Sequence, residues 1–517
     1  MGDKVSFIAA IEVGSHEVIL KIAEVLPDGE ISEIESMSRT INLGSNSYRL
    51  GYITGENIGI LIETLKDFKK IISAYPGIEI TVACTSAVRE ANNSLFLLDQ
   101  VYRQTGFEIM IYSNRLEIAG MLRAIRQKMP DFDQLTEEPT LFLDIGAGST
   151  QLTLFDKQEL TFTQNILLGS LRVRDRLSNL EKHTADFIAL MREYISGDLD
   201  YYRSFVPKKT DYKNFILVGN DLDIWRYLAE IPLIGTAELS VEKFEELFDI
   251  IIHNSSFELI RIFDINQEQA TLLLPVSMVI KEMFEFTGLD RVILPDVILA
   301  DGLIAKKAEQ LNLIEKDLRP LNDTLSFARQ IAKRHHTNLK HIEQVEKLAM
   351  QLFDQFQAQH GLDRQHRFIL RVAAILHNIG KFFTVKQDGE IAYEMIKSSD
   401  LIGLTNQEVE LIALLVKHHS DDFFTLNYEE ILLTSEEQLN FVKLAVLLSM
   451  ANALDTGHKS KVKKITTEVR KRHIKVILES NQDLTLESWS FQKTARYFQE
   501  IFGIELRLSI VPETNKN

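Results

Sequence analysis

The spacing of apolar and polar positions changes rhythm twice along the chain. Residues 5–25 and 31–43 run apolar or alternate, as strands do, with LPDGE (26–30) as a turn between them. Within the first run, AAIEVGSHEVILKIAEV (9–25) breaks at Gly14-Ser15 and resumes at once, the shape of two strands joined by a tight turn. Ile58, Leu61, Ile62, Leu65 and Phe68 then share one helical face, which predicts a helix over 56–74. ITVACTSAV (80–88) reads as a buried strand, NNSLFLLDQVYRQTG (92–106) as a helix ending at Gly106, and FEIMIYS (107–113) as a further strand. A helix from about Arg115 to Met129 follows, and the acidic KMPDFDQLTEEPT (128–140) reads as a boundary loop.

TLFLDIGAGSTQLTLFDKQELTFTQNI (140–166) repeats the opening: strand, acidic residue, Gly turn, strand, turn, strand. Glu12 and Asp144 stand 132 positions apart (144 − 12), a domain-length spacing that predicts two related lobes, each presenting a Gly turn to one cleft. Strands and helices alternate to about residue 310, which gives an α/β class. From about 318 the pattern is almost purely helical, with Val345, Leu348, Leu352 and Phe356 on one stripe. From about 464 strands return (ITTEVRK, HIKVILES, LTLESW), followed by one helix (FQKTARYFQEIF) and a last strand (IELRLSIV). The predicted domains are 1–128, 129–312, 313–463 and 464–517.

Composition narrows the classes. At 517 residues the chain exceeds one hydrophobic core. A single cysteine, Cys84, excludes an internal disulfide framework, fits a reducing cytoplasm and reads as a buried structural thiol. No run approaches ~20 apolar residues, so no membrane span is expected, and MGDKVSFIAAIEVGS lacks a signal-peptide layout. A net charge of −17 argues against nucleic-acid binding and requires any anion site to be concentrated and well built.

DIGAGST (144–150) is the sharpest chemical motif. Its glycines would let backbone N–H groups approach a phosphate, Ser149 and Thr150 add hydroxyls, and Asp144 could hold a divalent cation; an ordinary hairpin explains the same spacing equally well. ACTSAVREANN sets Arg89 just after a strand, where it would contact phosphate or form a surface ion pair. YSNRLEIAGML sets Glu117 early in a helix, where it would act chemically or merely complement the helix dipole.

Together TSAVRE (85–90), Ser-Asn-x-x-Glu (113–117), DIGAGST and LLGSLRVRDRL (167–177) resemble the exopolyphosphatase/guanosine-pentaphosphate phosphohydrolase (Ppx/GppA) family, in family order and over nearly the whole chain. The resemblance implies two actin-like, ribonuclease H-type lobes, then an all-helical HD-like domain and a small α+β domain. It implies release of terminal phosphate from polyphosphate, or of the 5′ γ-phosphate of guanosine pentaphosphate, with Mg²⁺. Glu117 matches the catalytic base. Gly14, Ser15, His16, Arg89, Gly146, Gly148, Ser149 and Thr150 match phosphate-binding positions, and Asp144 and Glu12 match the metal positions. A cytoplasmic homodimer is the family expectation.

Some positions depart from the family pattern. The first loop carries Glu12, His16 and Glu17 where Asp, Asn and a hydroxyl residue are usual. Gln151 stands at a usual glutamate, LVGNDLDIW (217–225) lacks a Gly-Ser-Gly-Thr run, and Ala300 occupies a common Arg position. The helical region offers His341, His377-Asn378, His418 or His419, and Asp455, but Asn378 cannot supply a bridging carboxylate and Ile391 replaces a frequent His. That domain therefore reads as scaffold, dimer surface or channel wall. Lys208, Lys209, Arg334, His335 and His336 are candidates for a basic channel. The leading expectation is an exopolyphosphatase-type hydrolase. The alternative is a polyphosphate- or (p)ppGpp-binding regulator with weakened turnover, and a sugar- or acetate-type kinase is disfavoured by the missing glycine-rich adenosine pocket.

Overall fold

The computed structural model describes residues 5–513, apart from 182, 185, 207–209, 220–221, 384–385 and 420–432. It divides into two compact units, 1–323 and 324–517.

The first unit holds two sheets. Strands β1 (Ser6–Val13), β2 (Glu17–Val25), β3 (Ile31–Thr40), β4 (Glu79–Cys84) and β5 (Met110–Ile111) form the first, in the order β3-β2-β1-β4-β5. Strands β1 to β3 are antiparallel neighbours, whereas β1, β4 and β5 run parallel. Strands β6 (Thr140–Ile145), β7 (Thr150–Asp156), β8 (Glu159–Ile166), β9 (Asn214–Val218), β10 (Ala237–Ser240) and β11 (Arg291–Leu294) form the second, in the order β10-β11-β9-β6-β7-β8. With the edge strand β10 set aside, its order and directions repeat those of the first sheet. This is a duplicated ribonuclease H-type topology, and each sheet has its own apolar core.

Two predicted strands are shorter than their apolar runs. ITVACTSAV leaves the sheet at Cys84 and turns into a short helix, Ser86–Glu90. Ala87 and Val88 are fully buried there, so the run stays apolar while the backbone changes. FEIMIYS pairs with β4 only through Met110 and Ile111, because β4 offers partners only at Ala83 and Cys84. A helix at Leu43–Leu50, absent from the sequence reading, packs its small and polar LGSNSYRL against the helix Ser170–Glu181.

The second unit is helical from Leu339–Gln355 to Ser435–Ala453, and the predicted stripe Val345, Leu348, Leu352 and Phe356 is wholly buried. A three-stranded sheet of β12 (Lys464–Val469), β13 (His473–Glu479) and β14 (Glu505–Val511) follows, with the helix Thr485–Phe502 between its last two strands. Among the described residues no helix is long and apolar enough to cross a membrane.

Candidate active site

The two hairpins of the repeat are built alike. In the first, Val13 pairs with Val18 and Gly14 N–H donates to Glu17 C=O at 2.9 Å. In the second, Ile145 pairs with Thr150 and Gly146 N–H donates to Ser149 C=O, also at 2.9 Å. Both turns open onto one cleft, lined by Glu12, Gly14, Ser15, His16 and Glu17 from the first and Asp144, Gly146, Gly148, Ser149 and Gln151 from the second. Thr85, Ser86, Asn114, Glu117 and Asn165 complete its polar lining.

Glu117 sits in the first turn of the helix Asn114–Lys128. That helix is set by a close crossing with Leu299–Gln310, where a Cβ on Gly302 would overlap the Gly120 backbone. Arg89 does not line the cleft. It donates to Glu117 Oε1 and to the Tyr112 carbonyl, and its second amino group donates to Asn114 Oδ1. Thr150 does not line it either: strand alternation turns its side chain away from the Ser149 and Gln151 side, and its hydroxyl donates to Leu168 C=O at 2.8 Å. Ala300 is buried.

Charge is concentrated on the carboxylates. Burial pushes the Glu117 carboxyl above its ordinary range, against the pull of Arg89. Burial, with Glu117 adding to it, raises Asp144 to about 7. Two carboxyls that hinder each other's ionisation form a site suited to a cation, and the all-oxygen donor set of Glu12, Glu117, Asp144 and Gln151 suits a hard one. Among the described residues no three acidic or imidazole groups are arranged as a complete metal cage.

The altered positions are tied down. Gln151 donates to Thr163 Oγ1 at 2.6 Å and accepts from Asn165, which also donates to Ser149 Oγ at 3.0 Å. His16 Nδ1 lies 3.1 Å from Glu268 Oε1. Behind His16 and Glu17 a second hollow contains Asp223, Trp225 and Glu268 from the LVGNDLDIW segment and its surroundings; Asn220 and Asp221 of that segment lie outside the described residues. Two participants escaped the sequence reading: Tyr48, on the polar helix Leu43–Leu50, and Arg172, whose segment was recognised but not its contact with Gly148.

In the second unit His341, His377, His419 and Asp455 come together, and His458, unremarked in the sequence, stacks on His341 at 3.8 Å between ring centres. His335 and His336 pack on Phe382, while Lys208 and Lys209 lie outside the described residues.

Comparison with known proteins agrees with this architecture. The sequence profile described as the Ppx/GppA phosphatase family matches residues 18–311, and that of Ppx/GppA phosphatase, domain III, matches residues 326–494. A crystal structure of an exopolyphosphatase from Cytophaga hutchinsonii superposes with a TM-score of 0.53 at 20% identity, covering 60% of this chain and 99% of that one. The Aquifex aeolicus Ppx/GppA family member gives a TM-score of 0.50 at 20% identity, with 60% and 99% covered. A bifunctional 3-dehydroquinate synthase/phosphatase of Fusobacterium nucleatum is 24% identical over 314 residues; the match spans 56% of this chain and 44% of that protein. The chain belongs to the Ppx/GppA phosphatase family.

Proposed function

We propose that the protein is an exopolyphosphatase-type phosphohydrolase that releases terminal phosphate from polyphosphate, with guanosine pentaphosphate as a second substrate of the same cleft. The observation that carries this reading is the convergence of Glu117, Asp144 and both Gly turns on one cleft. Backbone N–H groups of the two turns, with Ser15 and Ser149, would hold the terminal phosphoryl group. Glu117 would orient a water for in-line attack on phosphorus and accept its proton, a role helped by the burial that raises its carboxyl above the ordinary range. Asp144 and Glu12 would hold Mg²⁺, which when bound supplies charge neutralisation at the phosphate oxygens.

The test is phosphate release from long-chain polyphosphate and from guanosine pentaphosphate, side by side, with and without Mg²⁺. Glu117→Gln is expected to lower release by about 10³-fold. Release from neither substrate above that of the variant removes the reading. A second reading, a binding or regulatory protein with little turnover, draws on Glu17 at the cleft and on Gln151 in place of a carboxylate. Calorimetric binding of polyphosphate or (p)ppGpp without hydrolysis would favour it.

A further inference from the structure

Behind the wall of the cleft the side chains of Ser15, Ser86 and Tyr48 close a ring of hydroxyls. Tyr48 Oη lies 2.6 Å from Ser15 Oγ and 2.8 Å from Ser86 Oγ, and the two serine oxygens are 3.1 Å apart. Both serines line the cleft and are 5% exposed; Tyr48 does not line it. The phenol rests on the second loop, where a Cβ on Gly148 would overlap both Tyr48 Oη and Ser86 Oγ. The centre of its ring lies 4.0 Å from the Arg172 guanidinium carbon. Arg172 donates to Gly148 C=O at 2.5 Å and, through its Nη2, to both oxygens of Glu90 at 2.8 Å. The ring of hydroxyls thus belongs to the first lobe, and its seat and clamp belong to the second.

Three hydroxyls carry three protons. A closed ring spends all three on itself and turns lone pairs toward the cleft, the wrong polarity for an anion. For Ser15 to donate to a phosphoryl oxygen it must leave the ring, and its oxygen then needs a proton from behind. Tyr48 is placed to give it, at the shortest distance of the three. A serine that accepts from a phenol is also the better donor, because successive hydrogen bonds polarise one another.

Resting on the proposed reading of the cleft as a phosphate site, we infer that Tyr48 is a positioning residue for the bound phosphoryl group. It holds Ser15 and Ser86 in place and donates its one proton to Ser15 Oγ, which leaves the Ser15 proton for the anion, while Gly148 and Arg172 keep it seated. It touches no reacting atom.

Tyr48→Phe removes one oxygen and keeps the ring under Arg172. With tripolyphosphate and Mg²⁺ on the full chain, it is expected to raise KM about tenfold and leave kcat within about twofold, the pattern of lost uniform binding. Ser15→Ala should do the same, and the double variant should be no worse than either single one, because both remove the same donor. Unchanged KM in Tyr48→Phe, or fully additive losses in the double variant, overturns the inference. Should Tyr48→Phe fail to fold, the Ser15→Ala and Ser86→Ala pair tests the same ring; sub-additive losses support it and additive losses overturn it. Calorimetry of wild-type protein with tripolyphosphate separates the two levels. A wild type that neither binds nor hydrolyses it overturns the phosphate-site reading and the role of Tyr48 with it, whereas binding that Tyr48→Phe leaves unchanged overturns the role alone.

Discussion

The two Gly turns share a backbone and differ in what they offer to it. Each places an acidic residue at the end of one strand, closes with a glycine N–H to a carbonyl three residues on, and continues into an antiparallel partner in the same register. At matching places 132 residues apart, the first turn carries Ser15, His16 and Glu17 where the second carries Ala147, Gly148 and Ser149. The second turn is lined by small residues and neutral hydrogen-bonding groups, with Ser149 and Gln151 organised by Asn165. The first brings a carboxylate to the cleft and an imidazole whose Nδ1 lies 3.1 Å from Glu268 Oε1. Duplication has preserved the geometry that hydrogen bonds enforce and left the side chains to diverge, so the second turn is the better anion cradle.

The largest effect should come from exchanging small for large at that cradle. Gly148→Ala forces a methyl group against Tyr48 and Ser86. Tyr48 in turn packs on the Arg172 guanidinium and is hydrogen-bonded to both serines, so a shift of the phenol disturbs all of these contacts. Displacement of the loop by about 1 Å is enough to cost about 100-fold in kcat/KM. At the matching place in the first turn, His16→Ala trims a lining side chain without forcing the loop to move, and a loss of no more than about fivefold is expected. Equal losses in the two variants would break the asymmetry.

The acidic ends of the hairpins give a prediction in pH. Asp144, raised to about 7, is protonated below that value and ionised above it. A divalent cation needs the ionised form, so protons compete with it as pH falls below about 7. Mg²⁺ affinity measured by calorimetry should drop by about tenfold per pH unit on the acid side and level off above about 8. Asp144→Asn should bind weakly and without this slope. A slope that survives in Asp144→Asn would place the competing proton on another carboxyl of the cleft.

Reading the chain before its fold recovered the duplicated topology because strand alternation and the 132-residue repeat are local signals. Pattern alone places Glu117 and Asp144 at a helix start and a strand end, whereas their proposed roles came from the family resemblance. What escaped is long-range. Arg89 and Glu117 lie on separate elements, and nothing in TSAVRE says that the guanidinium turns to that carboxylate. Tyr48 sits in a polar octapeptide with weak helix propensity, made helical by its packing on Ser170–Glu181. Thr150 reads like a phosphate ligand in the motif, and only the strand's alternation shows that it faces the other way.

A smaller effect, of opposite sign, should follow from making the first turn resemble the second. Glu17 lines the cleft and corresponds to Ser149. Glu17→Ser removes a negative charge from the path of a polyanion and supplies a hydroxyl. KM for polyphosphate is expected to fall by about threefold to fivefold, the scale of a partly exposed charge, and the gain should shrink at high salt. A rise in KM would mean that Glu17 has a positive task, such as holding a cation.

The smallest effect on turnover is expected at Thr150, whose counterpart in the first hairpin is Val18 (150 − 132). Thr150→Val therefore copies into the second hairpin what the first already tolerates. The Thr150 hydroxyl donates to Leu168 C=O in a fully buried setting, so the substitution strips a buried carbonyl of a donor while keeping shape. Stability should fall by about 1–2 kcal/mol in a denaturant titration. Phosphate release should stay within about twofold of wild type, because the hydroxyl never reaches the cleft. If release falls tenfold while stability holds, the hydroxyl serves the bound phosphate, and the two hairpins differ in one more functional position than their geometry indicates.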